Sequence, residues 1–123
     1  GMGAYAHLSI PKIKEYLQTH NTVLIDGLYS WSEYILLKKS ELPCISLITI
    51  LSKRETRYKR LSSREYRPLS PEEAEKRDFA EIETLEKGGP IALCDYYITN
   101  DGSVEDLDKA IHNLAYMFNL TRK

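Results

Sequence analysis

Three short apolar segments, each followed by a segment with helical character, constrain the fold of this chain more than any other feature. The segments cover residues 22–26, 44–51 and 95–99. The first two are rich in β-branched residues and almost wholly apolar, which is typical of strands buried on both faces. Strands that alternate with helices favour a parallel sheet with right-handed crossovers. The sequence therefore predicts an α/β fold, with a parallel sheet and flanking helices.

Serine residues mark the starts of most of the predicted helices. A serine hydroxyl accepts a hydrogen bond from one of the first free amides of a helix, so serine is favoured at the N-cap. The signal is strongest at Ser70, because Pro71 suits the first helical position and Glu73 completes a capping box. In the first helix, Ser9 takes the cap and Pro11 the first turn. The predicted helices cover residues 9–19, 30–40, 53–63, 70–86 and 103–118.

Length and charge exclude several classes of function. The 123 residues suit one domain, predicted to span residues 1–123. A formal net charge of −1 does not favour binding to nucleic acid or to an anionic membrane. No apolar run reaches 18 residues, so no transmembrane helix is expected. The first residues lack a signal-peptide layout, so a cytoplasmic location is expected. The three histidines lack metal-ligand spacing, so no metal site is expected.

Charge is segregated between two neighbouring segments. Residues 53–67 hold seven basic and two acidic residues, a local charge of +5. Residues 72–86 hold seven acidic and two basic residues, a local charge of −5. Two solvated helical faces that attract each other would explain this pattern. The alternative is a basic arm that binds a polyanion such as the phosphate chain of a nucleotide.

Four sequence pieces occur in a specific order, namely VLIDG at 23–27, RYKRLSSREYR at 57–67, EKRD at 75–78 and CDYYITNDGSVEDL at 94–107. This ordered set resembles the second half of the dephospho-CoA kinase-like and nucleoside-monophosphate-kinase-like P-loop proteins. The last piece is the most specific, because a strand ends in Asn and is followed by Asp-Gly-Ser and an amphipathic helix. The resemblance implies part of a three-layer P-loop kinase-like sandwich, with a lid-like segment at about 53–86.

The sequence contains no match to the phosphate-binding loop G-x-x-x-x-G-K-[ST], which cradles phosphates with backbone amides and a lysine. The resemblance therefore implies a truncated, kinase-related protein that is not active alone. ATP and Mg²⁺ would bind only if a complementary P-loop is supplied, and the ligand would be a nucleotide or a coenzyme A precursor. The alternatives are a non-catalytic nucleotide- or anion-binding protein and a structural dimerisation module.

The sheet order of the resembling family, 2-3-1-4-5, implies a gap in this chain. Residues 22–26, 44–51 and 95–99 would be strands 3, 4 and 5, and strand 1 would lie between the first two. Unpaired backbone groups at a strand edge are costly if buried and adhesive if exposed. We therefore expect direct pairing of 22–26 with 44–51, or an edge supplied by a homodimer or by a missing N-terminal partner segment.

Asp26 is the candidate catalytic residue. The resemblance implies that it holds Mg²⁺ through water or orients an acceptor hydroxyl, work suited to a carboxylate at the C-terminal end of a strand. The alternative is a turn former before Gly27, since Asp-Gly pairs are common in turns.

Arginine side chains are the candidate phosphate ligands. Arg57, Arg60 and Arg64 lie at i, i+3 and i+7, so one helical face can present all three. The resemblance assigns them to the lid together with Arg67 in the following loop, and Arg77 would reach the same phosphates from the far side. The guanidinium group is planar, always charged and bidentate toward phosphate oxygens. The alternative is ion pairing with the acidic segment and, for Arg77, with its own helix.

Asn100, Asp101 and Gly102 form a tight turn between the third strand and the last helix. The resemblance implies that this loop contacts the nucleotide base, largely through backbone groups. A glycine permits the close approach of a ligand to the backbone. The alternative is a plain turn followed by a helix cap.

Overall fold

The structure of the chain, a computed structural model, describes residues 3–120. Two compact units divide them: residues 3–47 with 75–94, and residues 48–74 with 95–120. Within the described range no helix is long and apolar enough to cross a lipid bilayer. In chain order the elements are α1 (Ala4–Leu17), α2 (Trp31–Lys39), β1 (Ile48–Leu51), α3 (Arg54–Ser63), α4 (Pro71–Glu83), α5 (Gly88–Ala92), β2 (Tyr96–Thr99) and α6 (Val104–Met117).

The sheet belongs to the second unit and consists of β1 and β2, which pair in parallel. Ile48 lies opposite Tyr96, and Leu51 lies opposite Thr99. Helix α6 packs on β2, where the Phe118 ring meets the Tyr96 ring edge-to-face at 5.1 Å between centroids. The predicted α/β fold with a parallel sheet and flanking helices is confirmed at this level.

Residues 22–26 do not form a strand, contrary to the prediction. The sheet within residues 3–120 has two strands, so the expected pairing of 22–26 with 44–51 is also wrong. Leu24 is 78% exposed, whereas a strand buried on both faces would cover it. An apolar composition favours a strand, but a strand also needs a neighbour to satisfy its backbone groups. The predicted strand at 44–51 is shortened to β1, the part that has β2 as its pairing partner.

The first unit has its core between α1 and α2. Its buried members are Ala6, Ile13 and Leu37, and the half-buried residues around them are Ile10, Leu17, Val23, Leu28, Leu36, Leu42 and Ile45. Helix α1 begins at Ala4 rather than at Ser9, which places Pro11 inside the helix instead of in its first turn. An interior proline costs about 3 kcal/mol. The apolar face of α1 offsets that cost because it packs along α2.

The start of α2 is fixed from two directions. The Oγ of Ser30, the predicted cap, accepts a hydrogen bond from the Glu33 N–H at 3.2 Å. The Glu86 carboxylate accepts hydrogen bonds from the N–H of Ser32 at 3.3 Å and from its hydroxyl at 2.6 Å. The Glu86 main-chain oxygen also accepts from the Trp31 N–H at 3.0 Å. Glu86 therefore joins the end of the α4 region to the first turn of α2.

Two further helix starts follow the sequence signals. Ser70 and Glu73 form the predicted reciprocal pair of hydrogen bonds, both at 3.2 Å, at the start of α4. Ser103 and Asp106 form the same capping box at the start of α6. Helix α4 ends at Glu83, before the predicted end at residue 86, and the short helix α5 begins at Gly88.

Candidate functional site

The loop of Asn100, Asp101 and Gly102 follows directly from the carboxyl end of β2. It continues the sheet ladder for one bond, because the Asn100 N–H donates to the Leu51 carbonyl at 2.6 Å. The Ser52 hydroxyl, just beyond β1, donates to the Asn100 carbonyl at 2.7 Å. In open α/β sheets, ligands bind outside the carboxyl ends of the strands. The loop therefore lies where a ligand of this sheet would be expected.

Arg60 extends from α3 to two carbonyls of this loop. Its Nη1 donates to the Asn100 oxygen at 2.6 Å, and its Nη2 donates to the Gly102 oxygen at 3.2 Å. The two terminal nitrogens of one planar guanidinium thus hold residues on both sides of Asp101. The structure brings together Arg60 and the loop, two groups that the resemblance assigns to different tasks. A phosphate-binding role for Arg60 stays a prediction.

Asp101 ties the same loop to the start of α3. Its Oδ1 accepts a hydrogen bond from the Lys53 N–H at 2.8 Å. That bond is the main reason why the pKa of Asp101 lies below its ordinary value of 3.8, and desolvation, the next contribution, opposes it. A hydrogen bond from the Thr56 side chain and the charges of Lys53 and Arg60 lower the pKa further.

Replacing Asp101 by asparagine is expected to flatten the acid limb of the stability profile. Because the pKa of Asp101 is lowered by folding, its ionised form contributes stability in full above pH 3.8 and loses it as pH falls through the folded value. Urea unfolding between pH 7 and pH 3 measures this. The wild type should lose more unfolding free energy below pH 4 than Asp101→Asn. Parallel curves for the two proteins would contradict the assignment, and Asp108→Asn on exposed α6 is the control.

Gly102 has a steric reason to be glycine. A Cβ at this position would lie 2.6 Å from the Asp106 Oδ2, the carboxylate that completes the cap of α6. Any larger residue must displace that carboxylate, which also accepts the Ser103 N–H at 3.2 Å. The glycine thus keeps the loop close to the first turn of α6.

Of the other lid arginines, Arg57 lies within α3, and Arg64 and Arg67 follow its end. The helix ends at Ser63, so the predicted alignment of three arginines along one helical face is wrong for Arg64. The Arg64 Nε donates to the Arg67 carbonyl at 2.7 Å, and the Arg67 guanidinium lies over the Tyr66 ring at 5.0 Å. The Arg57 guanidinium lies 5.6 Å from the centroid of the Tyr58 ring. Their binding to phosphates stays a prediction.

Asp26 and Arg77 belong to the first unit. Asp26 borders a small cavity of about 80 Å³ between α1 and α2, and its segment is not the predicted strand. The Arg77 Nε pairs with the Glu81 carboxylate at 3.2 Å, the ion pair considered as its alternative role. Within residues 3–120 no group of three or more histidine, cysteine or acidic side chains is placed to hold a metal ion. The catalytic role of Asp26 stays a prediction.

Sequence reasoning missed Ser52 and Thr56 as parts of this arrangement. Ser52 lies in the short connection from β1 to α3 and Thr56 in the first turn of α3, positions where serine and threonine commonly bond to nearby backbone. Their partners are about 45–50 residues away in sequence, as the Ser52–Asn100 bond shows. No local pattern could identify those partners, because the parallel pairing of β1 and β2 creates the contact.

Comparison with known proteins finds relatives among archaeal proteins named UPF0200. The chain is 35% identical to a UPF0200 protein of Thermococcus sibiricus, over 100% of the chain and 66% of the relative. It is 34% identical to one from Sulfurisphaera tokodaii, over 93% of the chain and 62% of the relative. The chain thus spans slightly less than two thirds of the length of these relatives.

The chain is also similar to part of a longer archaeal protein. A UPF0200/UPF0201 protein of Archaeoglobus fulgidus is 33% identical over 93% of the chain, which covers 36% of that protein. No protein-family model and no solved structure matches the chain.

Proposed function

We propose that this chain is the later, nucleotide-binding part of a P-loop kinase-like protein, and that it acts only with a segment or chain that supplies the phosphate-binding loop. The observation that carries the proposal is the loop of Asn100, Asp101 and Gly102, held at the carboxyl end of the parallel pair β1–β2 by α3. That position is where nucleotides bind in open α/β sheets. The complete protein would be a three-layer sandwich of which this chain forms an incomplete part.

In this proposal the loop contacts the base and arginines neutralise the phosphates. Arg64 and Arg67 are exposed in the loop after α3, and Arg57 lies on the same helix as Arg60. Exposed guanidinium groups on one helix and the loop after it can bind neighbouring phosphate oxygens, where each forms charge-assisted hydrogen bonds.

The outer edge of β1 supports the need for a further segment. Within residues 3–120, β1 pairs with β2 and with no other strand. Two parallel strands rarely stand alone, because parallel sheets are normally covered on both faces and extended by further strands. Ile50 on β1 is 56% exposed, so the sheet face that carries it is largely uncovered. A P-loop-bearing segment or a second copy of the chain would supply that neighbour, and the greater length of the relatives favours the former.

ATP and Mg²⁺ enter the proposal only together with the supplied P-loop. Magnesium in nucleotide sites is held by one or two carboxylates and by the phosphates themselves. A single aspartate such as Asp26 is compatible with that chemistry, and the phosphates would be positioned by the P-loop. The acceptor would be a nucleotide or a coenzyme A precursor.

Calorimetric titration of the 123-residue chain with ATP and with dephospho-coenzyme A tests the proposal. We expect millimolar-range binding of ATP without turnover, weakened about tenfold by Arg64→Ala, which removes one charge-assisted contact. Lys109→Ala, on α6 outside the loop, is the matched control and should bind as the wild type does. Addition of the unmatched third of the Thermococcus sibiricus relative should tighten ATP binding and, with dephospho-coenzyme A present, transfer the γ-phosphoryl group of ATP to a hydroxyl of that acceptor and release ADP.

Three outcomes separate the alternatives. Turnover by the chain alone would contradict the proposal that a further P-loop is needed. ATP binding that persists without turnover in the reconstituted mixture would favour a non-catalytic nucleotide- or anion-binding protein. Absence of heat with every ligand, together with a stable dimer in light scattering, would favour the structural dimerisation module.

A further inference from the structure

We propose that Arg60 is a positioning residue for the base-contacting loop and not a ligand of the phosphates. The inference rests on the proposed nucleotide-binding function of the Asn100–Gly102 loop. It changes the role that the resemblance gives to Arg60, and it identifies the side chain that determines which base the loop accepts.

The hydrogen bonds of Arg60 define its role. Nη1 lies 2.6 Å from the Asn100 oxygen and 3.5 Å from the Ser52 hydroxyl, while Nη2 lies 3.2 Å from the Gly102 oxygen. Both terminal nitrogens are therefore directed at the loop and at its support. Hydrogen bonds from a charged donor are roughly twice as strong as neutral ones. To reach a phosphate with its fork, Arg60 would have to release two carbonyls that have no other charged partner among these bonds.

Three successive residues of the loop are held by α3 and by Lys53, the residue that precedes α3. Arg60 holds the carbonyls of Asn100 and Gly102, and the Lys53 N–H holds the carboxylate of Asp101 between them. The peptide planes that follow Asn100 and Gly102 are thus each oriented by a group outside the turn. The direction of the loop amides and carbonyls, which would read the edge of a base, consequently depends on the Arg60 guanidinium.

A positioning residue and a phosphate ligand differ in their effect on a ligand that has no base. Tripolyphosphate carries the phosphate charge of ATP without the nucleoside, so it reports only the anion-binding residues. ATP and GTP carry the same phosphates and differ in the base edge, so their affinity ratio reports the loop. Replacing Arg60 should change the ATP-to-GTP affinity ratio and leave the tripolyphosphate affinity almost unchanged.

The experiment compares Arg60→Met and Arg60→Lys with the wild-type chain in titrations with ATP, GTP and tripolyphosphate. Met keeps the apolar stem and removes all donors, while Lys keeps the charge but lacks the planar fork. For Arg60→Met we expect about a tenfold loss of ATP affinity, equal to 1.4 kcal/mol, and an ATP-to-GTP ratio close to one. Tripolyphosphate affinity should stay within about twofold of wild type, and Arg60→Lys should recover part of the base preference.

Several results would overturn the inference. Equal losses for ATP and tripolyphosphate would make Arg60 a phosphate ligand, and unchanged values for all three ligands would remove it from the site. In both cases the wild-type titration would leave the proposed function standing, whereas a wild type that binds none of the ligands removes both. If Arg60→Met does not fold, Ser52→Ala tests the same loop carbonyl and should lower the ATP-to-GTP ratio by a smaller factor in the same direction.

Discussion

Leu37→Ala is expected to destabilise the chain by about 2–5 kcal/mol, a large part of the unfolding free energy of about 5–15 kcal/mol that is usual for a protein. Leu37 is 3% exposed and packs with Ala6 and Ile13, which lie on the facing side of α1. Truncation removes the buried methyl groups and leaves a void that cannot collapse, because two helices determine the positions of its walls. The void would also join the small cavity that Leu37 already borders.

Urea unfolding followed by circular dichroism measures the loss, and Leu24→Ala is the matched control. The same atoms are removed at Leu24, but that side chain is 78% exposed, so a change within about 0.5 kcal/mol is expected. If Leu37→Ala is unfolded without denaturant, the prediction is met at its upper end. Similar free energies of unfolding for the two variants would show that α1 and α2 do not form the core described above.

Gly89→Ala is expected to destabilise the chain by about 1–3 kcal/mol, although alanine is the better helix former. A Cβ at Gly89 would lie 2.5 Å from Cε3 of the Trp31 ring, and the ring carbons cannot move aside without shifting the whole side chain. Helix α5 rests on α2 at this contact. The glycine therefore permits the close approach of the two helices.

The neighbouring glycine provides the control for the Gly89 variant. A Cβ at Gly88 meets nothing within 4 Å, so Gly88→Ala should stabilise the chain by about 0.4–1 kcal/mol through reduced freedom of the unfolded chain. Opposite signs for adjacent Gly→Ala changes in thermal unfolding are the expected result. A stabilising effect at both positions would mean that Trp31 does not rest on α5.

Local signals predicted the helices well, and long-range contacts explain where they failed. Ser30, Ser70 and Ser103 each cap the helix that the sequence assigned to them, because a cap depends on residues within one turn. The start of α1 was predicted five residues late, since Pro11 indicates a first turn in any local reading. Only the packing of α1 on α2 makes an interior proline tolerable there.

The error at residues 22–26 has the same origin. An apolar, β-branched run reads as a strand, but whether a strand forms is decided by a partner elsewhere in the chain. The sequence predicted the turn at Asn100, Asp101 and Gly102 but not its bonds to Arg60, whose phosphate-binding role stays a prediction. The bonds from Arg60 to two carbonyls depend on the parallel register of β1 and β2, which no spacing within α3 could reveal.

Three helix starts of this chain are poor binding sites for anions from solution. A carboxylate of the protein itself lies at the first turn of α2, of α4 and of α6, contributed by Glu86, Glu73 and Asp106. These groups neutralise the positive ends of the helix dipoles and use amides that an incoming anion would need. Sulfate or free phosphate should consequently compete poorly at these three ends, so the starts of α2, α4 and α6 contribute little to any anion affinity of the chain.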